Sequence, residues 1–160
     1  MLIELPTAWE LVLNIGLWPV IQLALAVLFT NWPLKAFSDK LVRASPWSER
    51  FYERVLLIRI WKDRLPDGAR WLGGGFTKGR LSGSNPDYIR QFIRSTRAGE
   101  MCHEAAIAFT PLFFIWNPWW ADAVMVAYAL VANLPCILVQ RYNRGRLSRL
   151  LRRQVDDKRS

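Results

Sequence analysis

The fold is decided by residues 105–139, which read AAIAFTPLFFIWNPWWADAVMVAYALVANLPCILV and carry one formal charge, Asp122. As a single helix this stretch would be about 52 Å long, well beyond the thickness of a bilayer. Asn117-Pro118 supplies a break, because proline cannot continue a helix without the loss of a backbone hydrogen bond. Tryptophans at 119 and 120 suit the headgroup region. We therefore predict a hairpin of two transmembrane helices, over about 101–117 and 121–140.

A third apolar segment lies near the N-terminus. Residues 11–30 contain no charge, and a helix of this length matches the hydrocarbon thickness. A cleaved signal peptide is the competing interpretation, since Ala24-Leu25-Ala26 is similar to a cleavage site. The leading segment carries Glu4 and Glu10 and no Lys or Arg, which disfavours a signal peptide because its first segment is normally positively charged. The sequence thus predicts an all-α membrane protein with three transmembrane helices.

The distribution of basic residues indicates the orientation. All 22 Lys and Arg lie within 35–97 or 141–159, and the formal net charge is +9. The positive-inside rule therefore predicts a multi-pass protein of the cell membrane, with its N-terminus and hairpin tip outside and its C-terminus in the cytoplasm. The basic surface would lie against anionic lipid headgroups. No motif for binding RNA or DNA accompanies the charge, so no nucleic-acid partner is expected.

One domain, 1–160, accounts for the chain, with a cytoplasmic cap at about 33–100 and a basic tail at about 141–160. The cap is predicted to hold amphipathic interfacial helices and a glycine-rich loop at 67–76, which lacks the spacing of a phosphate-binding loop. Ser45-Pro46 and Asn85-Pro86 are expected helix starts. One helix would present an apolar face of Phe51, Val55, Ile58 and Trp61. The other would bury Ile89, Phe92, Ile93 and Thr96, with Arg90, Arg94 and Arg97 facing water or headgroups.

The only histidine in the chain, His103, stands where the apolar hairpin meets this basic surface. Glu100 is three residues before it, so the carboxylate could fix the tautomer of the imidazole and raise its basicity. The second nitrogen could then take a proton from a hydroxyl, which is general-base chemistry. A histidine that merely pairs with a glutamate at a helix end is the structural alternative. No metal site is expected, because carboxylate-bridged sites need this motif twice.

Several hydrogen-bond donors follow the hairpin directly. Arg141 and Arg144 could hold a phosphate or carboxylate, and Gln140 and Asn143 lie beside them. An arginine cluster after a span is usually a membrane anchor, and that interpretation alone would explain the later arginines at 146, 149, 152 and 153. It explains Gln140, Tyr142 and Asn143 less well.

These motifs resemble a known family. The segments are Trp61-Lys62 with Asp67-Gly68, Glu100-x-x-His103, Ala132-Asn133-Leu134-Pro135, and Gln140-Arg141-Tyr142-Asn143-Arg144 followed by Arg146-Leu147. They are similar to the glycosyl-4,4'-diaponeurosporenoate acyltransferases, small bacterial membrane proteins. The resemblance covers about 58–151. The chain departs from the pattern at Gly145, where proline is expected, and in a glycine- and tryptophan-rich stretch at 71–76.

The resemblance implies transfer of a fatty acyl group to a hydroxyl of a glycosylated lipid such as a carotenoid glycoside. His103 would act as the base and Glu100 would orient it. Arg141, Asn143 and Arg144, with Gln140, would bind the donor or the oxyanion, and Trp61 and Lys62 would line the same pocket. The expected partners are a lipid acceptor, an acyl donor and the membrane, without a cofactor. Acyl-CoA, an acyl carrier protein or a phospholipid would each suit as donor.

Two other function classes stay open from the residues alone. The first is a non-catalytic membrane anchor or accessory subunit whose basic face recruits lipid. The second is a small membrane methyltransferase or reductase with its site at the cytoplasmic helix ends. The sequence does not determine the acceptor, the acyl length or the oligomeric state.

Overall fold

The structure is a computed structural model that describes residues 2–33, 47–65 and 85–157, and these form helices and turns without a β-strand. Five α-helices occur in these ranges: α1 (Thr7–Thr30), α2 (Glu49–Arg54), α3 (Ile58–Trp61), α4 (Pro86–Ala108) and α5 (Trp119–Asp157). Two 3-10 helices, Lys62–Arg64 and Thr110–Ile115, follow α3 and α4. The prediction of an all-helical protein is confirmed for the described part of the chain. The predicted glycine-rich loop and the helix start at Ser45-Pro46 lie outside the described residues.

Two of the described helices, α1 and α5, are long and apolar enough to cross a membrane. The first contains the predicted span 11–30, and Pro19 lies inside it without ending it. Large apolar side chains on both helices are exposed, among them Ile15 on α1 and Val131 on α5. This is the expected surface of helices that face lipid rather than water.

The predicted second span, 101–117, is not a single α-helix. It comprises the last turns of α4, which ends at Ala108, and the 3-10 helix Thr110–Ile115. Pro111 accounts for the change, because its ring nitrogen cannot donate to the carbonyl of Ile107 and its ring crowds that carbonyl. The start of α4 agrees with the prediction: the Asn85 side chain accepts from the Asp87 N–H, and Pro86 is at the first helical position.

The predicted break at Asn117-Pro118 is confirmed, since α5 begins at Trp119. The predicted end near Gln140 is wrong, because α5 continues without interruption to Asp157. No proline follows Pro135, and a lone glycine such as Gly145 costs a long helix only about 1 kcal/mol. The basic tail is therefore a continuation of the apolar helix, about 58 Å long in total.

The three long helices pack side by side. Helix α1 runs antiparallel to α4 and parallel to α5, because Leu2 and Ile3 donate backbone N–H groups to the Ile115 carbonyl while Leu25 packs on Cys102 at the other end. The N-terminus and the turn at Asn117 thus lie at the same end of the bundle. The buried residues of α4 match the predicted inner face: Ile89, Ile93 and Thr96 are buried and Phe92 packs against them.

The amphipathic helix predicted through Phe51, Val55, Ile58 and Trp61 is instead two short helices, α2 and α3. Leu57 separates them in the left-handed conformation, with φ 48°. In one continuous helix Tyr52 and Ile58 would point about 120° apart. The break lets both side chains pack into a single buried cluster with Val139 and Tyr142 of α5. Ser48 caps α2 by accepting from the Phe51 N–H.

Candidate active site

His103 lies on α4 and faces α5. Its Nδ1 atom is 2.9 Å from Oδ1 of Asn133, in the middle of the apolar part of α5. The Asn133 side chain is buried, and its Nδ2 group donates to the Ala129 carbonyl at 2.9 Å. This second bond fixes the orientation of the amide, because only the NH2 group can donate to a carbonyl.

The orientation of Asn133 determines the tautomer of His103. An amide oxygen only accepts hydrogen bonds, so the Nδ1 atom facing it carries the proton. In a neutral imidazole the lone pair then belongs to Nε2. The geometry therefore presents Nε2 as the basic atom, which is the state a general base requires.

A third helix contributes to this contact. Gln22 of α1 donates its Nε2 group to the same Asn133 oxygen at 3.3 Å. One carbonyl oxygen thus joins α1, α4 and α5 through two donors. The Gln22 side chain, which the sequence presents as an interruption of an apolar span, is part of the site.

Glu100 is surrounded by arginines. Its Oε1 accepts from Arg141 Nε at 2.5 Å, and its Oε2 lies 3.0 Å from Arg97 Nη1 and 2.5 Å from Arg144 Nη1. Glu104, one turn further, accepts from Arg141 Nη2 at 3.0 Å and lies 3.4 Å from Arg97. We refer to these five residues as the charge cluster. It joins α4 to α5 by two carboxylates and three guanidinium groups.

The charge cluster keeps a buried carboxylate ionised. Glu100 is only 1% exposed, and burial alone would raise its pKa because a carboxylate loses hydration. Hydrogen bonds and charge from Arg141, Arg144 and Arg97 outweigh this effect and lower the pKa of Glu100 below the ordinary value of 4.5. Glu100 thus contacts arginines of both helices, and His103 contacts Asn133. The predicted pairing of Glu100 with His103 stays a prediction.

The residues predicted to bind substrate occupy different surroundings. Arg144 is buried against Glu100, and Arg141 is partly exposed beside both carboxylates. The Gln140 side chain packs over Gly99, where an added Cβ would stand 2.8 Å from Gln140 Nε2. Asn143 is partly buried and directly precedes Arg144. The structure therefore brings Gln140, Arg141 and Arg144 to the contact between α4 and α5.

Trp61 and Lys62 lie on the other side of α5. The Trp61 indole packs on the buried cluster of Tyr52, Ile58, Val139 and Tyr142, and its Nε1 donates to the Leu56 carbonyl at 2.8 Å. Lys62 pairs with Asp63 at 2.7 Å. Their predicted role as pocket residues stays untested.

A cleft of about 620 Å³ opens between α2 and the C-terminal half of α5. Arg141 is shared between this cleft and the charge cluster. The cleft is lined by aromatic, hydroxyl and charged side chains and one glycine: Trp47, Ser48, Glu49, Arg50, Tyr52, Glu53, Arg141, Tyr142, Gly145, Ser148, Arg149 and Arg152. Within the ranges described, no group of three or more metal-ligating side chains occurs.

Four residues of the site were missed by sequence reasoning in whole or in part. Asn133 was part of a recognised motif but had no predicted role, and Gln22 had no predicted role either. Glu104 directly follows His103 in the sequence and had no predicted role. Arg97 was expected to face water or headgroups, but it is largely buried and pairs with both carboxylates of the charge cluster. Polar residues inside apolar stretches were the available signal, since such residues usually face the interior of a bundle.

Comparisons with known proteins agree with the motifs. The family described as glycosyl-4,4'-diaponeurosporenoate acyltransferase matches residues 33–153. Proteins of that name from Staphylococcus aureus strains USA300, NCTC 8325 and Newman are each 32% identical over 139 residues, covering 84% of this chain and 84% of each relative. No solved structure matches. The match contains both His103 and the charge cluster, and it confirms the expectation of an acyltransferase over that of a non-catalytic anchor. The chain belongs to the glycosyl-4,4'-diaponeurosporenoate acyltransferase family.

Proposed function

We propose that this protein transfers a fatty acyl group to a hydroxyl of a glycosylated lipid, such as a carotenoid glycoside, with His103 as general base. The observation that carries the proposal is the contact between His103 Nδ1 and Asn133 Oδ1. It assigns the proton to Nδ1 and the lone pair to Nε2, as a base requires. The names of the relatives support the substrate class.

The reaction follows from this tautomer. Nε2 of His103 takes the proton of the acceptor hydroxyl as its oxygen attacks the carbonyl carbon of an acyl thioester. The tetrahedral intermediate collapses, the carbon–sulfur bond breaks, and the leaving thiolate receives the proton from the imidazolium. An ester and a thiol result. Asn133 holds the ring throughout, and its carbonyl dipole stabilises the positive charge that forms on the imidazole.

Arg141 is the residue best placed to act on the donor. It is fixed by Glu100 and Glu104, is partly exposed, and lines the cleft. A guanidinium held in this way could stabilise a developing oxyanion or a donor phosphate without reorganisation. Arg144 is buried against Glu100, so we infer that it stabilises the Glu100 carboxylate rather than contacting substrate. Asn143, Gln140, Trp61 and Lys62 stay candidates for substrate contacts.

The proposed setting is the cytoplasmic leaflet. The exposed apolar surfaces of α1 and α5 support membrane insertion, and the arginines of the cluster and cleft lie at the opposite end of the bundle from the N-terminus and Asn117. By the positive-inside rule that end is cytoplasmic. The acyl chain and the lipid part of the acceptor would then stay between the helices and the bilayer.

The test uses lipid extracts. Cells that make a carotenoid glycoside are compared with and without the gene, and a species heavier by one acyl group is sought by mass spectrometry. The His103→Asn variant places an amide NH2 near the Nδ1 position, so it can still donate to Asn133 but has no basic nitrogen. We expect its turnover to fall by about 10²- to 10⁴-fold.

Arg90→Ala serves as the control, because Arg90 is exposed on the same helix and pairs only with the exposed Asp87 among described residues. We expect this variant to keep its activity. A folded His103→Asn protein that acylates at the parent rate would refute the catalytic assignment. Absence of the heavier species with the parent gene would refute the acceptor class.

A further inference from the structure

The cleft between α2 and α5 is a candidate binding site in addition to the His103 site. We propose that it binds the nucleotide end of an acyl-CoA donor, an inference that rests on the proposed acyl transfer. Its volume, about 620 Å³, is within the usual range for small-molecule sites. Arg141 connects it to the charge cluster, so a bound donor would have its reactive end directed towards α4.

The charge of the cleft suits a phosphate-bearing ligand. Four arginines line it against two glutamates. Both glutamates already have partners: Glu49 pairs with Arg146 and Arg149, and Glu53 with Arg59 and the Tyr142 hydroxyl. Arg50 and Arg152 are exposed and pair with no described residue, so their charges are available to an anion. Guanidinium groups bind phosphate oxygens in bidentate fashion.

The helical register aligns the lining residues of α5. At 100° per residue, Arg141, Gly145, Ser148 and Arg152 fall within a sector of about 60°, along about 16 Å of the helix. They therefore form one stripe that leads from the charge cluster to the far end of the cleft. An elongated ligand with phosphates at one end and a thioester at the other fits such a stripe better than a compact anion.

Trp47 distinguishes between the three donor classes. Its indole is 44% exposed at the cleft and is supported from behind by Phe51 and Tyr52, with ring centroids 4.9 and 5.7 Å away. A flat, exposed ring beside arginines is a stacking surface for a nucleobase. A phospholipid headgroup carries no aromatic ring, and a carrier protein has no flat heterocycle to place there. The exposed indole and the neighbouring arginines together favour a nucleotide thioester as the acyl donor.

The test titrates CoA into the full chain, purified in detergent, by isothermal calorimetry. We expect saturable binding that weakens with salt, and a loss of at least about tenfold in affinity for Arg50→Ala and for Arg152→Ala. Arg153→Ala is the matched control, because Arg153 is the exposed neighbour of Arg152 but does not line the cleft. Its affinity should stay within about twofold of the parent.

A blocking variant gives an independent measurement. Gly145→Leu replaces a lining glycine inside a helix, so it should favour the helix while it fills the cleft. We expect a higher thermal midpoint together with lost CoA binding. Pantetheine, which lacks the nucleotide, should not compete with CoA.

The outcomes separate the two proposals. CoA binding that depends on Arg50 and Arg152, without any acylated product, would support the cleft assignment and refute the acceptor assignment. Acylation from an acyl carrier protein or a phospholipid, without CoA binding, would overturn the cleft assignment and leave the acyltransferase in place. Equal losses for Arg152→Ala and Arg153→Ala would also overturn it, since they would indicate a general attraction of anions to a basic surface.

Discussion

Asn14 and Asn117 donate their side-chain amides to each other's carbonyl oxygens, at 2.8 and 3.0 Å. The Trp116 indole also donates to the Asn14 oxygen, at 3.0 Å. Asn117 is fully buried, so this reciprocal pair fastens the first turns of α1 to the turn before α5. It lies at the end of the bundle opposite to the charge cluster, and it fixes how α1 is placed beside the helices that carry the site.

The first prediction concerns this pair. Asn117→Ala should lower the free energy of unfolding by about 1–2 kcal/mol, because the Asn14 amide loses its partner in an apolar setting. Asn31→Ala is the control, since Asn31 is exposed and makes only a local bond to the Val27 carbonyl. Thermal unfolding in detergent measures both. Equal midpoints for the two variants would show that the pair does not stabilise the bundle.

A second prediction ranks the residues around the imidazole. His103→Asn should be the slowest variant, Asn133→Ala should lose about 10- to 100-fold in kcat, and Gln22→Ala less, since Gln22 reaches Asn133 over a longer 3.3 Å contact. We expect KM for the acceptor to change little in Asn133→Ala, because this residue positions the base. Steady-state kinetics gives both constants. A rise in KM without a fall in kcat would contradict the positioning role.

The third prediction is a pH dependence of stability. Because the pKa of Glu100 is lower in the folded protein than its ordinary 4.5, its contribution is fully present above that value. It is lost as the pH falls through the folded pKa. Unfolding in detergent between neutral pH and about pH 3 should therefore show a loss of stability on acidification that the Glu100→Gln variant lacks.

Glu100→Gln should also be less stable than the parent at neutral pH, by about 3 kcal/mol, because three arginines lose their buried counter-charge. The matched control is Asp63→Asn, which removes an exposed partner of Lys62 and should change stability by less than about 1 kcal/mol. If the stabilities of the parent and Glu100→Gln depended on pH in the same way, folding would not lower the pKa of the Glu100 carboxyl.

The fourth prediction concerns the link between α2 and α3. Leu57 has φ 48° and is half exposed, so its backbone conformation carries a steric cost that glycine avoids. Leu57→Gly should be more stable than Leu57→Ala by about 1 kcal/mol, although both lose the same side-chain contacts. A comparison of their unfolding midpoints checks this. An advantage for alanine would show that the left-handed turn is not retained.

The fifth prediction concerns topology. Reporter fusions after Ser160 should be active in the cytoplasm, and a tag placed before Leu2 should be accessible from outside the cell, because the basic residues of the described ranges lie at the end opposite to the N-terminus. A cytoplasmic N-terminus would contradict the orientation and would place the His103 site on the outer leaflet.

Local signals predicted much of the fold. The uncharged run 11–30 identified α1, Asn85-Pro86 identified the start of α4, and Asn117-Pro118 identified the turn before α5. Each depends on a few neighbouring residues: a length of apolar chain, a capping side chain or a proline. The predicted helix over 101–117 contains Pro111, and α4 ends before this residue, whereas α5 continues through Pro135.

The site was less predictable because its contacts join residues far apart in the chain. Glu100 and His103 were identified on one helix, but their partners Arg141 and Asn133 come from another, in a register that depends on how the helices pack. Local spacing predicts a pairing of Glu100 with His103, but it does not predict the contacts that either residue makes with α5. It also separated the tail from the membrane helix, although the same helix carries both.

One continuous helix, α5, carries Asn133, Arg141 and Arg152 along about 28 Å. A tilt of α5 against α4 would therefore displace Asn133, which contacts His103, together with the far end of the cleft. If His103 is the base and the cleft holds the donor, donor binding and alignment of the base would be coupled through this one helix. Such coupling would limit unproductive hydrolysis of the donor, because the base would be aligned only when the donor is bound.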